Sequence, residues 1–545
     1  MFLLVGLFAF SACGEEGGGG FTDFLPPPME DADLSLEVGW TGVDRSITAD
    51  LNVAMFSVTH NTAFERDIGR RFIDPLEIQE LRLASTVAVA QLFNQYFPNV
   101  SINFYCPGPR TGNPGFHVHR MGMYETHGLR PHVFMSSNLP EEIIAGLVAD
   151  LTMFANDPAL ELISPTMKRQ SIHLDRIWAV PILASPVGVF VNRTLAENQN
   201  LDTPPVDWNL NQFSHFVRHS RGPDEFMGMA DIPWTMFETM TDGYHYHLLH
   251  RTMADEFVFM NTIEMQNLHR GIPDFVPHAL RPQLAQGNVS SPWVAGRDNF
   301  QLFADGLVLI HHDQPYLIAN AGSPTHARRV NVHDWDYFPR PSTEWMPNHV
   351  GSNLIPLAIH NFAMDDNDPA LSIEEYDMLR LAWEFVRFFT LDIRAWRAKA
   401  AFTWGADGHS ALDYTFPFVQ GPLYWDMLDL HFQAVQREIF ANPNRFPGYH
   451  YVMSLWEQGY NWGLWHNAFP FEVLAGGSMS RIDNEWRNRG AAAHVGAPVH
   501  APNWLDQLFV HLPNWEVLYN YRWASRFWDM WEATQRWHPY VPVRS

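Results

Sequence analysis

Only two cysteines, Cys13 and Cys106, occur in the 545 residues, and only two lysines, Lys168 and Lys399. So few thiols exclude a disulfide scaffold, and a Cys13 used elsewhere leaves Cys106 without an intrachain partner. Cations are short: 35 basic residues stand against 60 acidic ones, a formal net charge of −25. Nucleic-acid affinity comes from cationic neutralisation of phosphates, so this balance excludes nucleic acid as a partner. Charge of either sign is scarce, 17 % of residues against roughly 25 % in ordinary soluble chains. Beyond the amino terminus no uncharged stretch approaches the length of about twenty apolar residues that a membrane-spanning helix needs. What is abundant is apolar surface, at 46 %, which excludes wholesale disorder, and aromatic surface, at 14 % with 21 Trp. Large flat side chains fill cores or present stacking planes to ligands. The length predicts more than one compact unit, at roughly 100–200 residues each.

Phe2 to Ala12 is an uncharged, mainly apolar run followed by Cys13 and a glycine-rich stretch, Gly14 to Gly20. It is too short to span a bilayer and fits the apolar region of an export signal, expected over residues 1–12; a buried strand or helix start is the other reading. The tetrad Phe10-Ser11-Ala12-Cys13 resembles a bacterial lipobox, with Phe10 where Leu is usual, which implies lipidation of Cys13. Residues 13–47, rich in Gly and carrying Pro26-Pro27-Pro28, read as a flexible tether.

In the body, Leu51 to Ser57, Val100 to Tyr105 and Pro131 to Ser137 read as strands. Glu77 to Tyr96 carries apolar residues at helical spacing, and a helix is predicted from Leu139 to Asp150, opening on Pro140-Glu141-Glu142. Such alternation predicts α/β layers around a mainly parallel sheet. Trp178 to Arg193 reads as two extended segments broken by Ser185-Pro186 and Gly188. Thr203-Pro204-Pro205-Val206-Asp207-Trp208 and an amphipathic helix, Leu210 to His219, follow.

This order resembles that of the extracellular solute-binding proteins of ABC importers, family 1, the sugar-binding branch. That family has a proline-interrupted strand, a strand ending in Asn-Lys (here Asn192-Arg193), a Pro-Pro-x-x-Trp turn and a helix. Gly146 to Thr152 resembles its turn after the third strand. Phe303 to Ile310 resembles its F-x-x-G-x-hydrophobic strand, Trp335 to Pro341 a segment linking the lobes, and Leu381 to Phe389 its A-W-E-F helix. The resemblance covers residues 48 to 410 and fades beyond.

The resemblance implies a two-lobed periplasmic-binding-protein fold of type II, each lobe a mainly parallel sheet flanked by helices, joined by a hinge. Lobe 1 would comprise 48–185 and 346–410, and lobe 2 186–345 and 411–545, with crossings near Ala184 to Gly188, Trp335 to Gly351 and residues 404 to 422. It implies capture of a small-molecule solute, a sugar above all, outside the membrane. Delivery to ABC permease subunits follows from closure of a monomer held to the membrane by its lipid. Sugar recognition needs aromatic planes and fixed polar groups. By position the candidates are Ser136, Ser137 and Asn138 after the third strand, Ser185 at the first crossing, Trp234, Tyr244, Asp313, Tyr316 and Trp404. A core place for each aromatic and a cap or turn for each serine stay open. Ser185 stands where the family often has a carboxylate.

Other chemistries lack their signatures. His245-Tyr246-His247 with His250, His117-Val118-His119 and His311-His312-Asp313 cluster locally, but 27 histidines produce clusters by chance and none has a His-Glu-x-x-His form. No carboxylate pair is singled out for glycoside hydrolysis, although a glycan-active enzyme, like a surface receptor or adhesin on the same fold, remains a rival reading. There is no Gly-x-x-x-x-Gly-Lys loop and no Gly-x-Ser-x-Gly elbow. Asp365-Asp366-Asn367-Asp368 lacks the twelve-residue calcium-loop spacing and reads as a solvated turn. No catalytic residue, metal or cofactor is expected.

Overall fold

A computed structural model describes residues 36–54, 81–105, 131–136, 139–164, 167–168, 172–173, 176–219, 303–304, 306, 308–313, 334–342, 347–364, 370–401, 403–404, 409–410, 419, 421–427, 430–458, 461–463 and 541–542. Cys13 with the expected export signal, Ser137, Asn138, Trp234, Tyr244 and Tyr316 lie outside these residues.

The strands β1 (Ala49–Ala54), β2 (Val100–Tyr105) and β3 (Val133–Met135) pair in parallel, with β1 between the other two. Helix α1 (Leu81–Phe93) and the short helix α2 (Leu139–Ile144) accompany them. The predicted helix to Asp150 stops early because Gly146 turns to φ 75°, a conformation that favours glycine, and the Leu147 N–H returns to the Glu142 carbonyl at 2.9 Å.

A long strand, β4 (Ala179–Asn192), follows, then α3 (Arg193–Asn198) and α4 (Leu210–His219). The two extended segments expected around Ser185-Pro186 are thus one strand. Phe303 to Ile310, expected as a strand, is instead helical at Phe303 and Ala304 and turns at Gly306 (φ 71°) before β5 (Ile310–Asp313) begins. After β6 (Trp335–Phe338) and β7 (Val350–Ile359) come α5 (Ile373–Leu391), α6 (Ile393–Ala400), α7 (Pro422–Asp426), α8 (Leu430–Ala441) and α9 (Pro447–Gln458), then β8 (Asn461–Gly463).

Among the described residues the sheet has eight strands, six in the path β2-β1-β3-β7-β4-β5, with β8 joined to β7 and β6 to β4. Within this sheet, among the described residues, parallel pairing is confined to β1 with β2 and β3, and to β7 with β8. Every pair made by β4, and the β3–β7 pair, is antiparallel. The sheet is therefore mixed rather than mainly parallel. Two segments expected in the second lobe pair with first-lobe segments: β8 with Val350 to Ser352, and Val541–Pro542 with Ala370–Leu371.

Helix α5 is the pillar beside this sheet. Ser372 and Glu375 form a reciprocal capping box at its start, and its second half, Leu381 to Leu391, is buried on all sides. Phe93 of α1 packs on Phe385 and Phe388 at 5.4 and 5.6 Å between ring centres, and Trp383 stacks on Phe154 at 4.7 Å. A buried charge set lies on the same helix. Arg387 donates to Asp157, Glu384 and the Glu37 carbonyl at 2.9, 3.1 and 2.7 Å, and Glu384 accepts the N–H groups of Gly39 and Thr41 at 3.0 and 2.7 Å. Residues 36–43, the end of the expected tether, are thereby fixed along α5 by side-chain charges rather than by a strand ladder.

Candidate functional site

The centre of interest is the place where β4 changes partners. From Ala179 to Val187 it pairs with β7, ending in Val187 opposite Gly351; from Gly188 to Asn192 it pairs with β5 and β6, beginning with Gly188 opposite Asp313. Pro181 and Pro186 supply no N–H to either ladder. Glycines sit where backbones crowd: a Cβ on Gly188 would stand 2.6 Å from the Phe338 carbonyl oxygen and 2.9 Å from the Tyr337 ring. On the other side of the exchange, Gly351 faces the guanidinium of Arg340, itself fully buried.

Three of the predicted residues lie in or beside the sheet around β4: Ser185 on the strand itself, Asp313 on its partner β5, and Ser136 one strand further off, beside β7. Asp313 ends β5 opposite Gly188, with its side chain 29 % exposed and His311 Nε2 3.2 Å from Oδ2. Its main-chain carbonyl accepts the Tyr337 hydroxyl at 2.8 Å. Ser185 lies in the register opposite Asn353, completely enclosed, with its hydroxyl 3.4 Å from the Pro186 carbonyl. Ser136 follows β3 and donates its N–H to Pro356, which pairs with Pro181 of β4. Its hydroxyl donates to the buried carboxylate of Glu142 at 2.5 Å. Ser136 and Ser185 thus spend their hydroxyls inside the fold, and Asp313 is the one whose side chain reaches solvent. Trp404 pairs with His409 in a short hairpin, Thr403–Trp404 with His409–Ser410, about which only the backbone is described.

The residues beside the exchange that sequence reading did not single out are Tyr337, Asp336 and Arg340; it also passed over Glu142, which meets Ser136. Burial pushes the Tyr337 phenol well above its ordinary range, with the neighbouring Tyr449 and Asp313 adding to the rise. Asp336 is also buried, which raises its carboxyl, while the N–H groups of Gly448, Tyr337 and Tyr449 oppose the rise, with Arg193 further off. Those contacts, 2.9 Å to Gly448 and 3.0 Å to Tyr449, seat the start of α9 on β6. The alternation Trp335-Asp336-Tyr337-Phe338 marks a strand, but a carboxylate that caps a helix over a hundred residues away has no local signal. A partly exposed carboxylate at a strand end, beside the exchange of partners, is an acceptor suited to ligand hydroxyls. Among the described residues no group of three or more His, Cys, Asp or Glu is placed to hold a metal ion, and no described helix is long and apolar enough to cross a membrane.

No protein-family model and no curated protein matches the chain. Solved structures do. An ABC substrate-binding protein from Listeria monocytogenes, in complex with cycloalternan, aligns with 88 % of this chain and 100 % of its own at 11 % identity and a TM-score of 0.50. An ABC transporter solute-binding protein from Agrobacterium vitis S4 with bound D-mannitol covers 88 % of this chain and 99 % of its own, at 12 % identity and a TM-score of 0.49. Maltose-bound MalE3 of T. maritima covers 85 % and 100 %, at 13 % identity and 0.47. The chain has the two-lobed α/β fold of ABC substrate-binding proteins.

Proposed function

We propose that this chain is the extracytoplasmic solute-binding component of an ABC importer. It captures a carbohydrate, an oligosaccharide by its supply of aromatic planes, and delivers it to permease subunits without making or breaking a bond. Lipid on Cys13 tethers it, and closure bends β4. The observation that carries this reading is the exchange of partners within β4 at Val187 and Gly188, with the Asp313 carboxylate at its rim. A ligand that binds the closed form better shifts the population toward it. The Listeria protein of the same fold holds cycloalternan, which supports a carbohydrate here.

The proposed lobes are 48–185 with 346–410, and 186–345 with 411–545, the last pairing of Val541–Pro542 with Ala370–Leu371 being a return to the first. The remaining aromatic and polar candidates, Trp234, Tyr244, Tyr316, Trp404, Ser137 and Asn138, complete the proposed groove, and Ser136 and Ser185 support it from within.

A thermal-shift screen of maltotriose, mannobiose, D-mannitol, a tripeptide and spermidine tests the proposal. A saccharide present at a hundred times its Kd adds about 2.7 kcal/mol to the folded state. Stabilisation by a saccharide alone, with the saccharide recovered intact, is the expected result. Cleavage of the sugar would establish an enzyme instead, and stabilisation by the peptide or polyamine would overturn the carbohydrate. Cys13→Ala is expected to release the protein from membranes; unchanged membrane association would remove the anchor from the proposal.

A further inference from the structure

His311 and Asp313 lie two residues apart on β5, so their side chains share one face of the sheet, and His311 Nε2 stands 3.2 Å from Asp313 Oδ2. The two differ in their access to water. The His311 side chain is 4 % exposed and that of Asp313 29 %. The imidazole sits in an aromatic row that crosses three strands. Phe190 of β4, its partner in register, lies 6.4 Å away between ring centres and nearly parallel, and Tyr337 of β6 lies beyond Phe190, 4.6 Å from it. Phe303 adds a further ring at 6.1 Å from the imidazole.

Packed in this way, the imidazole brings one nitrogen to the carboxylate. With a proton on Nε2, in the neutral ring as in the cation, that nitrogen donates to Oδ2. The main chain of Asp313 is held as well, its carbonyl accepting the Tyr337 hydroxyl at 2.8 Å, and Gly188 opposite it brings no side chain across the ladder. Backbone and carboxylate are thus both secured from within the fold, although the carboxylate stays open to water. An acceptor held before the ligand arrives has less rotamer freedom to lose on binding, and that saving appears as affinity.

We infer that His311 is a positioning residue for the ligand: through its Nε2–H it holds the Asp313 carboxylate in the orientation that accepts the hydroxyls of a saccharide. The inference rests on the carbohydrate-binding reading above. Part of its test is made without ligand, so that the two can fail separately.

His312 provides the control, being the next residue on β5, also buried, and directed to the other face of the sheet. The first measurement is the nitrogen-15 spectrum of histidine-labelled full chain without ligand, in which the signal lost in His311→Gln identifies the residue. That signal is expected to show the proton on Nε2 and to move in Asp313→Ala. A proton on Nδ1 alone, or a signal indifferent to Asp313→Ala, would overturn the inference. The second measurement is calorimetric titration with maltotriose and with mannobiose. His311→Leu is expected to weaken whichever of them binds by about tenfold or more, the worth of a hydrogen bond to a charged group, and His311→Gln, which keeps a donor, to return to within about threefold of the parent. His312→Leu is expected to bind as the parent does, although its unfolding temperature falls as far as that of His311→Leu. Parental affinity in His311→Leu, equal weakening by the two leucine variants, or no recovery in His311→Gln would each refute the role. Should neither saccharide bind the parent, the carbohydrate reading falls, and the histidine spectrum alone decides whether His311 holds Asp313.

Discussion

The guanidinium of Arg387 meets the carboxylate of Asp157 at 2.9 Å with both side chains withheld from water. Asp157 also accepts the Trp383 indole at 2.7 Å and the Ala159 N–H at 2.9 Å, so the pair joins α5 to the short helix that Asp157 caps. Removing one member of a buried pair strands the other charge. Arg387→Met is therefore expected to cost about 3–5 kcal/mol of stability, read from urea unfolding. A loss under about 1 kcal/mol, the size typical of an exposed pair, would show that water reaches this site.

The strap at residues 36–43 hangs on the other carboxylate of that cluster. Glu384→Gln keeps the shape but turns an amide donor toward a backbone N–H, leaving Gly39 or Thr41 without its acceptor, at a cost of about 1–3 kcal/mol. Limited thermolysin digestion with amino-terminal sequencing is expected to show new cleavage within 36–43. An unchanged cleavage pattern would mean that the apolar anchors Val38 and Val43, both buried, hold the strap by themselves.

Gly188→Ala puts a methyl group against the Phe338 carbonyl, which belongs to a paired strand and has nowhere to move. Overpacking of this kind costs about 1–3 kcal/mol. Calorimetry is expected to show a lowered unfolding temperature. An unfolding temperature equal to the parent's would show that β4 and β6 separate at this point without cost.

Lys399 supplies a pH dependence. Its Nζ donates to the Phe389 carbonyl at 2.6 Å and lies 3.9 Å from that ring's centre, and burial pushes the ammonium down to about 7. In the unfolded chain a lysine titrates at about 10.4. Between these values the unfolded state binds more protons, so this residue's contribution to stability rises with pH from about 7 to about 10 and is flat below. Lys399→Met keeps the stem over the ring and removes the titration. The stability difference, parent minus variant, should therefore grow across that window; a constant difference would place the ammonium in water.

Much of the framework was legible because it is local. Strand β2 and helix α4 begin and end where periodicity put them, and the run Leu381 to Phe389 is the buried half of α5. Errors arose where one residue's backbone decides the outcome: Gly146 ends a helix that its apolar neighbours would continue, and Gly306 turns a segment rich in strand formers. Proline at 186 looked like a break, yet the strand continues through it because a change of partner tolerates a missing donor. The site was less legible still. A serine after a strand reads the same whether its hydroxyl meets a sugar or, as for Ser136, an internal acid. Tyr337 gave no sign of its place at the exchange because the carbonyls near its hydroxyl come from Pro186 and Asp313, distant in sequence and adjacent only in the sheet.

The placement of β7 has a consequence for how the chain is made. This strand joins Val133 to Met135 on one edge, Ala179 to Val187 on the other, and takes its last partner from Asn461 to Gly463, more than a hundred residues after its own start. During synthesis, Val350 to Ser352 therefore has an open edge until the chain has grown past residue 463, and pairing across such separations is slow. An open edge invites strands from other chains. The folding polypeptide thus passes through an interval in which its central strand is incomplete, and that interval ends only when β8 docks.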